Sequence, residues 1–216
     1  MLRLVAALAL LFGCPGLAGA RGEAPGDFDF YVLALSWSPS YCEAERDRAD
    51  PDQCATDRPY AFVVHGLWPQ YERGYPEHCP YEGPRRLPPG LVDRMLDIMP
   101  SRALVRHEWE KHGTCSGLSP SRYFETVRQA YGKVAIPPAF RRLEAPAVTA
   151  PEAVERAFQA ANPGLEPDMI AVTCDRTRLR EVRICMDKEL RFRTCGPVDR
   201  QACRREEIRL PPSRPR

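Results

Sequence analysis

The sequence predicts an α+β fold, on two observations. Short apolar segments of strand character gather towards the two ends of the chain, and segments with helical spacing fill its middle. There is no strict strand–helix alternation of the kind a parallel sheet requires. The chain opens MLRLVAALALLFGCPGLAGA, with one arginine, an apolar run from Leu4 to Phe12 and small residues ending Ala18-Gly19-Ala20. That is the pattern of a secretory signal peptide, residues 1–20, cut after Ala20. A lipid anchor on Cys14 is the minor alternative: Leu11 and Gly13 suit it, whereas the bulky Phe12 does not. The apolar run is too short for a bilayer, which takes roughly 20 residues, and no later segment comes close. The expectation is a secreted or periplasmic protein with no membrane span.

After the leader, FDFYVLALSWSP alternates and runs apolar as a strand does, ending at Pro39. A loop with Cys42 and Cys54 leads to a second strand, YAFVVHGLW. Residues 71–90 are rich in Gly, Pro and Tyr and read as an irregular surface loop. LVDRMLDIM, SRALVRHEWEKHG and SPSRYFETVRQAYG have helical spacing, with stops at Pro100, Gly113 and Gly132. Ser101 and Ser119 suit helix caps. A proline-spotted linker, 133–151, precedes a helix in PEAVERAFQAANPG. Strands return in DMIAVTCD, LREVRICMD and ELRFRTCG, the last two expected as a hairpin around Asp187-Lys188. A short Arg/Pro-rich tail closes the chain.

Removing 20 of the 216 residues leaves 196, an ordinary size for one domain spanning 21–216. Of the nine cysteines, Cys14 lies in the leader and eight remain: Cys42, Cys54, Cys79, Cys115, Cys174, Cys185, Cys195 and Cys203. An even number in an exported chain reads as four disulfides. Zinc binding is disfavoured, because no CxxC or CxxH pair of finger spacing is present.

The net charge of +2 does not by itself announce a nucleic-acid binder. From Cys174 to Arg216, however, twelve Arg and one Lys face seven acids. This is either a basic face for RNA phosphates or a solvated, arginine-rich surface.

Only four histidines exist, His65, His78, His107 and His112, and three of them fall within two compact motifs, HGLWPQ and HEWEKHGTC. At roughly 100° per residue on a helix, His107, Glu108, Lys111 and His112 share one arc, while Trp109 and Glu110 point elsewhere. Two imidazoles, a carboxylate and an ammonium crowded on one face suit phosphate chemistry better than mere solvation. The plainer account is a charged surface helix with Trp109 in the core. A zinc-protease reading fails on spacing: HExxH sets two histidines one turn apart, whereas here an extra residue swings His112 away and no third ligand motif follows. Taken alone, His65 would be a core histidine and Trp68 a core aromatic. Together the two motifs offer two imidazoles, able to act as base and acid across one phosphodiester because each titrates near neutrality.

FVVHGLWPQ followed by HEWEKHGTC resembles the two active-site segments of the T-two family of acid ribonucleases, and YVLALSWSPSYC resembles that family's first core strand. The resemblance covers nearly all of the mature chain. It implies a central antiparallel sheet flanked by helices, with bridges Cys42–Cys54, Cys79–Cys115, Cys174–Cys203 and Cys185–Cys195. It further implies that His112 is the general base on the ribose 2′-hydroxyl and His65 the general acid on the departing 5′-oxygen. Lys111 and Glu108 would stabilise and orient the phosphoryl group, and His107 would bind phosphate. Trp68 would stack on a base, partnered by Tyr75 or Tyr71, with Gln70 alongside. No cofactor or metal is called for. The substrate would be single-stranded RNA, cleaved by a monomeric enzyme through a 2′,3′-cyclic phosphate to 3′-phosphate ends. Gln70 stands where some relatives carry an acid, and Ser36 where plant relatives often carry Gln, so base preference is left open. His78 is expected at the surface. The alternative class is a secreted binding protein on the same disulfide scaffold; loss of a motif histidine would have favoured it, and none is lost.

Overall fold

A computed structural model describes residues 24–84 and 86–213. The expected signal peptide, residues 1–20, and Cys14 lie outside the described residues. Four strands form an antiparallel sheet in the order β2-β1-β5-β4: β1 is Phe30–Trp37, β2 Phe62–Gln70, β4 Ile170–Cys174 and β5 Leu179–Met186. β1 is nearly apolar throughout because it is interior to the sheet and covered on both faces. Its Leu33, Leu35 and Trp37 enter the main core, while Phe30 and Val32 point to the other face, into a smaller cluster with Ala171, Cys185, Cys195 and Val198. The second face carries the site described below.

The chain turns helical at once after β1, where a strand through Pro39 was expected. α1 is Ser38–Glu45, with Pro39 in its first turn, where a missing N–H costs nothing. α2, Pro51–Cys54, is capped by the Asp50 side chain, so the expected Cys42/Cys54 loop is two short bridged helices. α3 covers only Pro89–Asp93, and the expected helix through Met99 gives way to turns that bring the Ile98 carbonyl to the Val64 N–H of β2, 2.8 Å away. α4, Arg102–Lys111, starts at Ser101, whose side chain accepts from the Leu104 N–H. α5, Pro120–Gly132, starts at Ser119 as expected. Both α4 and α5 pack against β2, and α6, Pro151–Ala161, packs against β4.

Two expectations in the second half of the chain are corrected. ELRFRTCG makes no strand: both edges of β5 are already taken by β1 and β4, and only a single bridge, Met186 to Phe192, extends past the end of β4. The reversal at Asp187 does exist, held by the Asp187 N–H donating to the Arg191 carbonyl. The segment then enters α7, Gly196–Asp199. Nor is the expected linker, 133–151, without a strand. Ile208–Leu210 forms β6 and pairs antiparallel with β3, Ala147–Thr149, which sits inside the expected linker. Ile208 and Leu210 are buried, Ser213 hydrogen-bonds Leu143, and Trp37 donates its indole N–H to the Pro211 carbonyl.

The four bridges are Cys42–Cys54, Cys79–Cys115, Cys174–Cys203 and Cys185–Cys195. Among the described residues no helix is long and apolar enough to cross a membrane.

Candidate active site

His65 owes its position to an irregularity in the sheet. Along the β1–β2 ladder Ala34 pairs with Gly66 and Leu35 with Val64, leaving His65 as the extra residue of a bulge. Such a bulge bends a strand locally and re-aims one side chain. Trp68 and Gln70, opposite Val32 and Phe30, extend the same face. α4 lies beside β2, with Val105 and Trp109 buried in the core. That orientation sinks Glu108 to 1% exposure, leaves His107 exposed and brings Lys111 to the rim. His112 is not on the helix proper, as the 100° reckoning assumed. It is the residue that caps α4, with φ −115° and ψ −43°, and it is buried.

The side chains of His65, Trp68, Gln70, Tyr75, His107, Glu108, Lys111 and His112 all line one cavity of about 400 Å³. The structure thus brings these residues, drawn from two separate segments of the chain, to one cavity. Of the two candidate tyrosines, Tyr75 is at the cavity and exposed, whereas Tyr71 is buried in the main core. His78 is exposed; its backbone N–H donates to the Lys111 carbonyl.

Trp68 is tied into the site more closely than a free stacking surface. Its indole N–H donates to Glu108 Oε2 at 2.7 Å. The His65 ring meets it edge-on at 5.1 Å, the His112 ring lies 5.4 Å away at 34°, and the Arg183 guanidinium sits over it at 5.3 Å. Glu108 Oε1 is 3.6 Å from His65 Nε2, and the Lys111 ammonium is 3.4 Å from Glu77. The other nitrogen of His65, Nδ1, is 2.5 Å from Glu181 Oε1. The sequence reasoning missed Glu181 and Arg183; the available signal was a pair of charged residues at i and i+2, on one face of strand β5.

These surroundings drive the titrating groups apart. Burial works to lower the pKa of His65, but the hydrogen bond and charge of Glu181 are the main forces against it and hold it raised. His112 goes the other way, lowered to about 3 by burial and then by Lys111 and the other histidines. Its Nδ1 is buried with no hydrogen-bond partner among the described residues, which leaves Nε2 for chemistry. Burial lifts Glu108 to about 7 against the pull of His65 and of the Trp68 N–H. His107, though exposed, is lowered, chiefly by the partial loss of water around its ring and then by Lys111. The surroundings thus favour the cation of one imidazole and the neutral form of the other across the same cavity, the arrangement an acid and a base require. Among the described residues, no group of three or more His, Cys, Asp or Glu side chains is arranged to hold a metal ion.

The chain resembles a ribonuclease of Aeromonas hydrophila at 42% identity over 177 residues, covering 79% of this chain and 76% of that one. It is 30% identical over 162 residues to ribonuclease I of Escherichia coli, covering 57% and 60%. An RNase-related protein from Calystegia sepium shares the fold, with a TM-score of 0.67 at 24% identity over 85% of this chain and 97% of the other. A structure of RNase NT in complex with 5′-AMP does so with a TM-score of 0.58 at 23% identity, over 86% and 99%. The family model described as the Ribonuclease T2 family matches residues 28–195, a span that holds both histidine motifs, the whole four-stranded sheet and seven of the eight bridged cysteines, and the chain belongs to that family.

Proposed function

We propose that this protein is an endoribonuclease that cleaves single-stranded RNA by transphosphorylation, needing no metal. The observation that carries the reading is the placing of His65 and His112 on one cavity, in surroundings that raise the pKa of the first and lower that of the second. Neutral His112 takes the proton of the ribose 2′-hydroxyl, and the freed oxygen attacks phosphorus. The P–O5′ bond breaks, and cationic His65 gives its proton to the departing 5′-oxygen. A 2′,3′-cyclic phosphate results, and water opens it to a 3′-phosphate with the two histidines exchanging roles. Lys111 meets the charge developing on the phosphoryl oxygens, and its contact with Glu77 gives way to the substrate phosphate. Glu108, kept largely uncharged below neutrality by burial, can approach a phosphate without like-charge repulsion and donate to it. His107, exposed at the rim, binds a phosphate, and Tyr75, 51% exposed, offers an aromatic face to a base beside Gln70. The leader-like N-terminus and the four bridges support a secreted or periplasmic location.

The test is digestion of defined oligoribonucleotides by the purified protein in excess EDTA. Cyclic 2′,3′-phosphate ends should appear first and 3′-phosphates later, with DNA untouched for want of a 2′-hydroxyl. Fragments bearing 5′-phosphates, or activity lost to EDTA and restored by a divalent ion, would overturn the proposal.

A further inference from the structure

The acid role proposed for His65 needs one ring nitrogen, and the structure gives the other, Nδ1, a partner that this chemistry does not employ. Glu181 Oε1 lies 2.5 Å from Nδ1, and Glu181 is 5% exposed. Its other oxygen, Oε2, is gripped by Arg183 through Nε at 2.9 Å and Nη2 at 2.8 Å. Arg183 is held in turn by Gln201 at 3.2 Å and by the face of Trp68. The sheet supplies the geometry: Glu181 pairs with Ser36 and Arg183 with Ala34 across β1, on the face where the bulge presents His65. Oε1 also accepts from the Ser36 hydroxyl at 3.5 Å, and a carboxylate oxygen with two lone pairs can take that O–H and the His65 N–H together.

We propose that Glu181, clamped by Arg183, is a positioning residue for the reaction: it keeps the proton of His65 on Nδ1 and aims Nε2 at the departing 5′-oxygen. An imidazole fixed in this way loses only its Nε2 proton when it acts as the acid. It is then left with a bare Nε2, ready to take a proton from water in the second step. The hydrogen bond it makes through its other nitrogen decides which nitrogen reacts. The charge arrangement fits the same role. Burial works to raise the pKa of Glu181, but His65 and then Arg183 bring it down to about 2, so the carboxylate is charged wherever the enzyme works. The other charged and titratable groups near the His65 ring are Glu108, His107 and His112 from α4 and its cap, and Tyr41, Glu45, Asp175 and Arg180 in a second cavity that His65 and Glu181 also line. Among the described residues, only Glu181 touches the ring at hydrogen-bond distance. The serine–histidine–aspartate hydrolases use a carboxylate on a histidine to the same end, and mutating that carboxylate there is costly through the wrong tautomer.

This inference rests on the general-acid role proposed for His65, and the experiment separates the two. Histidine is labelled with ¹⁵N, and the His65 ring is titrated by NMR in the wild type and in Glu181→Gln, Glu181→Asp and Arg183→Met. kcat and KM on a dinucleotide substrate are measured against pH for the same proteins and for His65→Ala. In the wild type, neutral His65 should be the Nδ1–H tautomer and should titrate above 6.5. Glu181→Gln should lower that pKa, carry the alkaline limb of kcat down in pH by the same amount and cut kcat by at least about tenfold with little change in KM. Glu181→Asp, which keeps the charge, should recover part of both. Arg183→Met frees Glu181 but also removes a charge that lowers the His65 pKa, so it should cut kcat less than Glu181→Gln while the His65 pKa does not fall; it also serves if Glu181→Gln does not fold, and an unchanged kcat there would overturn the clamp. A neutral wild-type His65 in the Nε2–H tautomer, or a Glu181→Gln enzyme with an unchanged His65 titration and alkaline limb, overturns the role of Glu181. A folded His65→Ala enzyme of near wild-type activity overturns instead the general-acid reading, whatever the titration of His65 shows.

Discussion

Gly66, within HGLWPQ, stands where no side chain fits. A Cβ built there would overlap Glu108 Oε2 and the Trp68 indole nitrogen, so the hydrogen bond between those two residues passes over the bare α-carbon. The missing side chain is thus what lets the β2 and α4 halves of the site touch. Gly66→Ala should push Glu108 and Trp68 apart, costing about 1–3 kcal/mol of stability by overpacking and lowering kcat more than about tenfold, equivalent to about 1.4 kcal/mol of barrier. Trp68→Phe isolates the bond from the ring. It keeps an aromatic face and deletes the N–H, so a positioning role for Trp68 predicts a fall in kcat with KM little changed. A rise in KM alone would assign Trp68 to base stacking and remove it from the support of Glu108. At this scale the motifs carried much of the site, because imidazole, carboxylate and ammonium groups stood out in two short stretches. Glu181 and Arg183 were illegible for the opposite reason. In LREVRICM they look like the solvent-facing positions of an ordinary strand, and only the bulge at His65 and the register with β1 turn them towards a histidine 116 residues earlier in the chain.

At the scale of elements, α4 was legible at its start, where Ser101 caps it, and less so at its end. Helical periodicity treats His112 as one more residue on an arc, whereas the chain leaves the helix there, enters a 3-10 turn at Gly113–Ser116 and is pinned by Cys115 to Cys79. Propensity cannot see a covalent constraint that arrives from 36 residues away. The hairpin expected after β5 failed for a related reason, since local alternation says nothing about whether the neighbouring edge is free. β6 was missed because three alternating residues, Ile208–Leu210, are too few to read as a strand against an arginine-rich surround. The Cys79–Cys115 bridge has a functional consequence. It joins the segment carrying Tyr75 and Glu77 to the turn after His112, with the His78 N–H to Lys111 carbonyl bond as a second tie. Replacing both cysteines by alanine should cost about 2–4 kcal/mol by urea unfolding. Because the loosened segment holds Tyr75 rather than the histidine pair, KM for RNA should rise more than kcat falls. An equal loss in both, or none in KM, would show that the bridge serves stability alone.

The fold as a whole couples its stability to pH through the same groups that would do the chemistry. Folded His112 titrates at about 3 against 6.5 for a free histidine, so the unfolded chain binds the extra proton between those values and stability is lost as pH falls through them. Glu181, at about 2 against 4.5, adds stability that is present above 4.5 and lost as pH falls towards 2. The lowered Asp97, Asp175 and Asp187 act in the same direction. Glu108 has the opposite sign: folded, it keeps its proton up to about 7 while the unfolded chain releases it near 4.5, so stability falls as pH rises across that range, and the raised Glu155 adds to this. His65 contributes stability that is full below 6.5 and lost as pH rises through its raised value. The His112 and Glu108 slopes oppose each other between about 4.5 and 6.5 and there largely cancel, leaving a plateau flanked by losses on both sides. The protonation state proposed for catalysis, His65 charged and His112 neutral, spans the same interval, so the folded protein should be most stable where it is most active. Urea midpoints across pH 3 to 8 check this. The wild type should show a mildly acidic plateau. Folded His112→Gln should lose the His112 slope, at most about 1.4 kcal/mol per pH unit, so that its stability declines from 4.5 to 6.5 where the wild type is flat. A wild-type midpoint that still climbs from pH 6.5 to 8, or a variant whose profile parallels the wild type, would mean that His112 is not held neutral by burial, and the base assigned to the reaction would have to be sought elsewhere.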